Sequence, residues 1–144
     1  MKWLCFLFFS SFTIFYVWNG KDFYSKKQWL LFGLKFISCL LMAIIATVIA
    51  KEALRIWPSM SAVTVKFALL VTFSSIIAVL MAKLLVLLIC FIFNKIDRLH
   101  RIHNADNYKD LSKLTSRFAS SFLIGAKILV SLGFILIFYG YWLS

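Results

Sequence analysis

The chain contains one segment, residues 62–93, that stays apolar for thirty-two positions except for two lysines and a few serines and threonines. An α-helix needs only about 20 residues to cross the hydrocarbon core of a bilayer. Three further apolar segments, separated by short charged stretches, occupy residues 3–18, 29–50 and 118–142. In lipid, a helix satisfies all its backbone hydrogen bonds within one segment. The sequence therefore predicts an all-α, polytopic helical membrane protein with about four transmembrane helices in a single membrane domain.

The composition excludes an ordinary soluble domain. Apolar residues make up 63% of the 144 residues and charged residues 15%, whereas soluble domains average about 45–50% and 25%. The net charge of +11 lies mainly between the apolar segments, where lysine and arginine meet anionic headgroups and set orientation. The expected partners of this charge are therefore membrane lipids, and no nucleic-acid partner is predicted.

The first segment and the cysteines each allow two interpretations. Lys2 followed by residues 3–18 is typical of a signal peptide, but the large aromatic residues and the lack of a small-residue cleavage site favour a retained span. If the segment were cleaved, three spans would remain. Cys5, Cys39 and Cys90 all lie within apolar segments and have no paired spacing. They are expected to be buried free thiols and not a disulfide or zinc framework.

A protruding hairpin is predicted between the third and fourth spans, at residues 94–117. Because residues 62–93 exceed the length of one span, the helix must tilt or project, and projection is expected. A helical pattern continues beyond Asn94, and residues 104–107 then supply turn chemistry. In the preceding connection, Pro58 breaks the helix, and Ser59 or Ser61 is expected to cap the next one.

The basic residues predict the orientation. The first loop and the hairpin fall on the same side of a four-span protein and together carry nine of the basic residues, namely Lys21, Lys26, Lys27, Lys95, Arg98, Arg101, Lys109, Lys113 and Arg117. The positive-inside rule places this side in the cytoplasm. Both termini are then periplasmic, in what is predicted to be a bacterial inner membrane.

Lys83 and Lys127 are the most unusual residues within the apolar segments. They lie some ten and nine residues in from the expected cytoplasmic ends, and no acidic residue occurs within any apolar segment. Intramembrane charges are costly and often functional, and a carboxylate of another protein, a lipid phosphate or a bound anion could supply the missing charge. The alternative is that both side chains extend to cytoplasmic headgroups. The absence of membrane acids argues against coupled cation transport.

The hairpin carries a repeat of possible metal ligands at every third position: Asp97, His100, His103 and Asp106. Successive members drift by about 60° around a helix, so they cannot all converge, and the interleaved arginines repel a cation. No metal site is predicted. The residues expected to contact a partner, an anion or a lipid are Lys83, Lys127, Arg98, Arg101, His100 and His103.

Small residues suggest where helices pack closely. Candidate packing positions are Ala43, Ala46, Thr47, Ala50, Ser121 and Gly125. Such residues at spacings of three and four allow neighbouring helices to approach. The alternative is that alanine is simply frequent in membrane helices.

The sequence contains no nucleophile with a base, no paired carboxylates and no phosphate-binding loop, so neither catalysis nor a cofactor is predicted. The expected function is that of a non-enzymatic inner-membrane protein acting through protein contacts, either with another membrane protein or by self-association. Its size and layout suit an accessory subunit, or an immunity or entry-exclusion protein, by architectural analogy alone. The alternatives are an oligomeric pore or transporter, in which the basic residues would favour anions, and a lipid-modifying membrane enzyme.

Overall fold

The computed structural model describes the backbone of residues 2–57, 61–103 and 108–144, and the side chains of these residues except 97, 100, 101, 103 and 108–119. The described chain is all-α, as predicted. Its four helices are α1 (Lys2–Asn19), α2 (Lys26–Ile56), α3 (Ala62–His103) and α4 (Tyr108–Trp142).

Within the described residues, three helical segments are long and apolar enough to cross a membrane: Lys26–Ile56, Ala62–Ile96 and Ser120–Trp142. By length and composition, they indicate an integral membrane protein. The 18 residues of α1 extend about 27 Å at 1.5 Å per residue, slightly less than a bilayer core of about 30 Å. A fourth span at α1 therefore stays a prediction.

Local side-chain hydrogen bonds fix where two helices begin. The side chain of Ser25 accepts a hydrogen bond from the backbone of Gln28, and the side chain of Gln28 accepts one from the backbone of Ser25. This reciprocal capping box satisfies donors that the first turn of α2 would leave unpaired. At α3, Ser61 Oγ accepts from the backbone N–H of Thr64, which confirms the predicted cap, while Ser59 lies outside the described residues.

The helices alternate in direction, and α1, α3 and α4 form the packed core. Phe9 of α1 lies beside Phe138 of α4, and Trp18 donates to Ser131, so α1 and α4 are antiparallel. Phe93 and Phe122 have ring centroids 4.7 Å apart near one end of α3 and α4. The centre of the core contains fully buried residues from all three helices: Val17, Ala82, Val86 and Phe138.

Helix α2 is peripheral. Among the described residues it contacts α3 and neither α1 nor α4, and Phe32 is its only buried residue. Of the predicted packing stripe, Ala43, Ala46 and Ala50 are half-buried. Thr47 is exposed, and its hydroxyl donates a hydrogen bond to the Ala43 carbonyl of its own helix.

Neither of the two packing candidates on α4 is fully buried within this chain. Ser121 is exposed, and a Cβ added at Gly125 would meet nothing within 4 Å. The inward positions near them are Ala126 and Lys127, which are both buried. The physical reason is helical phase, because residues adjacent to the buried pair point along other directions of the helix.

Helix α3 continues without a break past Asn94 to His103, and α4 begins at Tyr108. The helical pattern predicted after the apolar segment is therefore present as the last turns of α3. The predicted turn at residues 104–107 lies outside the described residues.

Candidate functional site

The candidate site is a cluster of three charged side chains at the end of α1. Lys83 of α3 is fully buried. Its Nζ donates to the carbonyl oxygen of Val17 at 3.5 Å and lies 3.8 Å from Oδ1 of Asp22. A buried ammonium needs hydrogen bonds and a counter-charge to persist, and the end of α1 and the loop after it supply both.

Lys127 of α4 makes the stronger pair with the same carboxylate. Its Nζ lies 2.8 Å from Oδ1 and 2.9 Å from Oδ2 of Asp22, and the Lys127 side chain is 9% exposed. Asp22 thus bridges α3 and α4 from the loop between α1 and α2. A carboxylate of this chain therefore supplies a counter-charge to both lysines, which corrects the prediction of an external source. It can do so because α1 is short enough for that loop to fold onto the middle of the longer helices.

Two ammonium groups share one carboxylate, so the cluster has formal charges summing to one positive charge. Asp22 is itself only partly exposed, at 24% of its side chain. Pairs of this kind are costly to break, since removal of one partner leaves a buried charge uncompensated. The arrangement therefore ties the α1–α2 loop to α3 and α4.

Gly20 permits this close approach. A Cβ added there would lie 2.6 Å from Nζ and 2.8 Å from Cε of Lys83, and 3.0 Å from the carbonyl oxygen of Tyr16. A larger residue at this position would push the lysine away from its partners. Gly20 is thus part of the site because it has no side chain to occupy the position of the Lys83 ammonium.

Indole groups make two further polar links across the core. Trp142 Nε1 donates to Ser75 Oγ at 3.0 Å, and that hydroxyl donates to the Val71 carbonyl at 2.8 Å. Trp18 Nε1 donates to Ser131 Oγ at 3.4 Å. Ser75 is thus a hydrogen-bonded junction between α3 and α4.

A groove of about 1030 Å³ adjoins the cluster, between α2, α3 and the α1–α2 loop. Its polar lining consists of Lys21, Tyr24, Gln28, Lys35 and Ser38, and its walls are apolar side chains of α2 and α3 such as Leu31, Phe73 and Ile76. Among the described residues, Lys21 and Lys35 make no ion pair. The groove therefore combines basic groups with an apolar floor.

Tyr24 lies in the loop at the mouth of this groove and is half-buried. Burial raises the pKa of its phenol above the ordinary value of 10.0, and the neighbouring Tyr16 raises it further. The hydroxyl is therefore neutral at physiological pH and is able to donate a hydrogen bond.

Of the hairpin candidates, Arg98 is the one whose side chain is described, and it does not lie in this site. Arg98 is exposed on α3, whereas the side chains of Arg101, His100 and His103 lie outside the described residues. Within the described part of the chain, no group of three potential metal-binding side chains occurs. All three cysteines are free, with Cys90 buried and Cys5 and Cys39 half-buried.

Asp22 is the residue of the candidate site that the sequence analysis missed. Its sequence separation from Lys127 is 105 residues, and it follows the first apolar segment instead of lying within one. The sequence did contain an indication of this contact. In a four-span protein the first loop lies on the same side as the end of the third segment and the start of the fourth. The depth at which the loop meets them depends on the length of α1.

Comparison of the chain with protein families, with curated proteins and with solved structures finds no match. The fold and the cluster therefore define the class of protein by themselves. It is an all-α integral membrane protein whose helices are joined by an internal carboxylate–lysine cluster.

Proposed function

We propose that the bilayer ends at the level of the Asp22 cluster and that the protein is a non-enzymatic interaction protein of a bacterial inner membrane. The parts of α3 and α4 beyond Lys83 and Lys127 stand in the cytoplasm, where they contact another protein. We call residues 84–103 and 108–126 the arms. An accessory subunit and an immunity or entry-exclusion protein both fit this role.

Helix lengths support this position of the bilayer. Residues 62–83 of α3 and 29–50 of α2 each extend about 33 Å, and α1 extends about 27 Å, all close to a core of about 30 Å. Basic residues lie at both limits: Lys21, Lys26 and Lys27 beside the cluster, and Lys51, Arg55 and Lys66 at the opposite end. Charges at these levels meet headgroups and not hydrocarbon.

The alternative is that the whole apolar part of α3 lies within lipid. The segment Ala62–Ile96 has 35 residues and extends about 52 Å. It would need a tilt of about 55° to fit within the core, whereas transmembrane helices tilt by roughly 0–40°. Part of the apolar surface of α3 is therefore expected to lie outside the hydrocarbon.

The observation that carries the proposal is the apolar surface of the arms. Neither α1, which ends at Asn19, nor α2, which runs from the cluster towards Ile56, accompanies the arms. Large apolar residues of the arms are exposed, namely Leu85, Leu88, Phe91, Ile92, Phe122 and Ile124. A contiguous exposed apolar patch outside lipid marks an interaction surface. The basic residues that follow it, including Lys95 and Arg98, favour a partner with an acidic surface.

The position of the bilayer is tested by cysteine accessibility. In a background with the native cysteines changed to alanine, Ile92→Cys probes the arm and Ile44→Cys probes the exposed face of α2. In proteoliposomes of the protein alone, Ile92→Cys is expected to react with a membrane-impermeant maleimide and Ile44→Cys to stay protected. Equal protection of both positions would place the arm in lipid and refute the proposal.

The partner is tested by photo-crosslinking in native membranes. A benzophenone amino acid at Phe91 is expected to form a discrete adduct, whereas the same group at Ile44 forms only lipid adducts. Charge reversal at Lys95 and Arg98 should weaken the adduct at Phe91. An adduct at twice the mass of this chain would instead favour the oligomeric pore, which ion flux through liposomes containing the purified protein would then test.

A further inference from the structure

We infer that the groove between α2, α3 and the α1–α2 loop is a binding site for one anionic glycerophospholipid. The phosphate lies between Lys21 and Lys35, and an acyl chain lies along the apolar walls. This goes beyond the proposed function, because a lipid site in the groove does not depend on any contact made by the arms.

Charge complementarity identifies the occupant as anionic. Lys21 and Lys35 are exposed and line the same groove, and neither pairs with an acid among the described residues. The nearest carboxylate in sequence, that of Asp22, is held by Lys127 and Lys83. It is therefore not available to neutralise Lys21. Basic pockets between transmembrane helices on the cytoplasmic side are suited to anionic headgroups.

The depth of Lys35 favours a lipid over a soluble anion. Lys35 lies about 14 Å along α2 from Lys26, within the apolar part of the helix. Its ammonium reaches polar surroundings only by extending towards the loop. Gln28 and Tyr24 also line the groove, and the side-chain amide of Gln28 supplies hydrogen-bond donors for phosphate oxygens.

The walls of the groove suit an acyl chain. Leu31, Phe73, Ile76, Leu80 and Met42 line the groove along α2 and α3. Since α2 contacts only α3 among the described residues, the groove is open on its lipid side. A phospholipid can therefore enter from the surrounding leaflet without separating the helices.

The test is native mass spectrometry of the full chain in detergent, titrated with phosphatidylglycerol, with phosphatidylcholine of the same acyl chains, or with inorganic phosphate. One phosphatidylglycerol is expected to bind more tightly than the other two ligands. The double variant Lys21→Gln/Lys35→Gln should lower its affinity about 25-fold, since each lysine near an anionic headgroup contributes a factor of about five. Because both residues are exposed, folding is expected to be unchanged in this variant, and circular dichroism checks it.

The matched control is Lys26→Gln/Lys27→Gln, which removes the same charge at nearly the same level from exposed residues that do not line the groove. Its loss of affinity should be clearly smaller, and equal losses would overturn the inference in favour of a general basic surface. Equal binding of phosphatidylcholine, or binding of inorganic phosphate with the same affinity, would also overturn it.

A second pair of variants tests the acyl-chain wall without changing charge. Ser38→Phe adds volume inside the groove, while Ile37→Phe adds it at an exposed neighbouring position outside the lining. Only Ser38→Phe is expected to lower the affinity for phosphatidylglycerol. Unchanged binding in Ser38→Phe, or a loss of the same size in both variants, would show that the lipid does not bind in this groove.

Discussion

Helix α2 and the core of α1, α3 and α4 are similarly apolar but are held in different ways. In the most apolar 18-residue stretch of each helix, 6% of the residues of α2 are buried, against 39% in α3 and 28% in α4. The core helices are linked by the Asp22 cluster and by indole–serine hydrogen bonds, whereas the hydroxyl of Thr47 in α2 bonds to its own helix. In lipid, apolar surface gives no hydrophobic drive for association. Polar contacts and close packing therefore decide which helices join.

The strongest test of this contrast is removal of the shared carboxylate. Asp22→Asn leaves Lys83 and Lys127 without a counter-charge and is expected to lower the free energy of unfolding by about 3–5 kcal/mol. Its counterpart on α2 is Glu52→Gln, which breaks an exposed pair with Arg55 at 3.8 Å and should cost about 0–0.5 kcal/mol. Unfolding by sodium dodecyl sulfate in mixed micelles, followed by circular dichroism, measures both. Equal small effects would show that the cluster does not hold the core together.

Glycine substitutions compare the two regions through packing. Gly20→Ala places a methyl group against the buried Lys83 and is expected to destabilise the protein by about 1–3 kcal/mol. Gly33→Ala in α2 meets nothing within 4 Å and should stabilise its helix by about 0.5–1 kcal/mol. The same unfolding assay should therefore give opposite signs, and a neutral Gly20→Ala would contradict the tight approach of the loop to α3.

A double-mutant cycle sharpens the comparison for hydrogen bonds. Ser75→Ala, Trp142→Phe and the double variant should give a coupling energy of about 0.6 kcal/mol, the average for such bonds within a membrane. Thr47→Ala removes a hydroxyl that bonds only within α2, and its effect is expected to be close to zero. A coupling energy of zero would show that the hydrogen bond between Trp142 and Ser75 does not stabilise the association of α3 and α4.

The smallest expected effect concerns the point where α2 leaves the core. The raised pKa of Tyr24 means that the folded state favours the neutral phenol. The resulting contribution to stability is complete below pH 10 and is lost as the pH rises through the folded-state pKa. Wild type should therefore lose more stability than Tyr24→Phe above pH 10, in unfolding measured at each pH. Parallel profiles would show that Tyr24 is not buried against its neighbours.

The sequence predicted the helices well and the site only in part. The long apolar segments predicted three of the helices, because lipid leaves the backbone no other way to satisfy its hydrogen bonds. The Ser25–Gln28 capping box was not predicted, although serine followed three residues later by glutamine is typical of a helix start. Lys83 and Lys127 stood out by their type and position, yet their internal partner did not.

What the sequence by itself determined is the solvent and the secondary structure: 63% apolar residues in long segments require lipid around helices. Tertiary structure alone decided that Asp22 meets Lys127 across 105 residues and that α2 stays at the edge. The physical reason is that periodicity and hydropathy act along one helix. The height at which a short α1 ends beside two longer helices depends on how all three pack together.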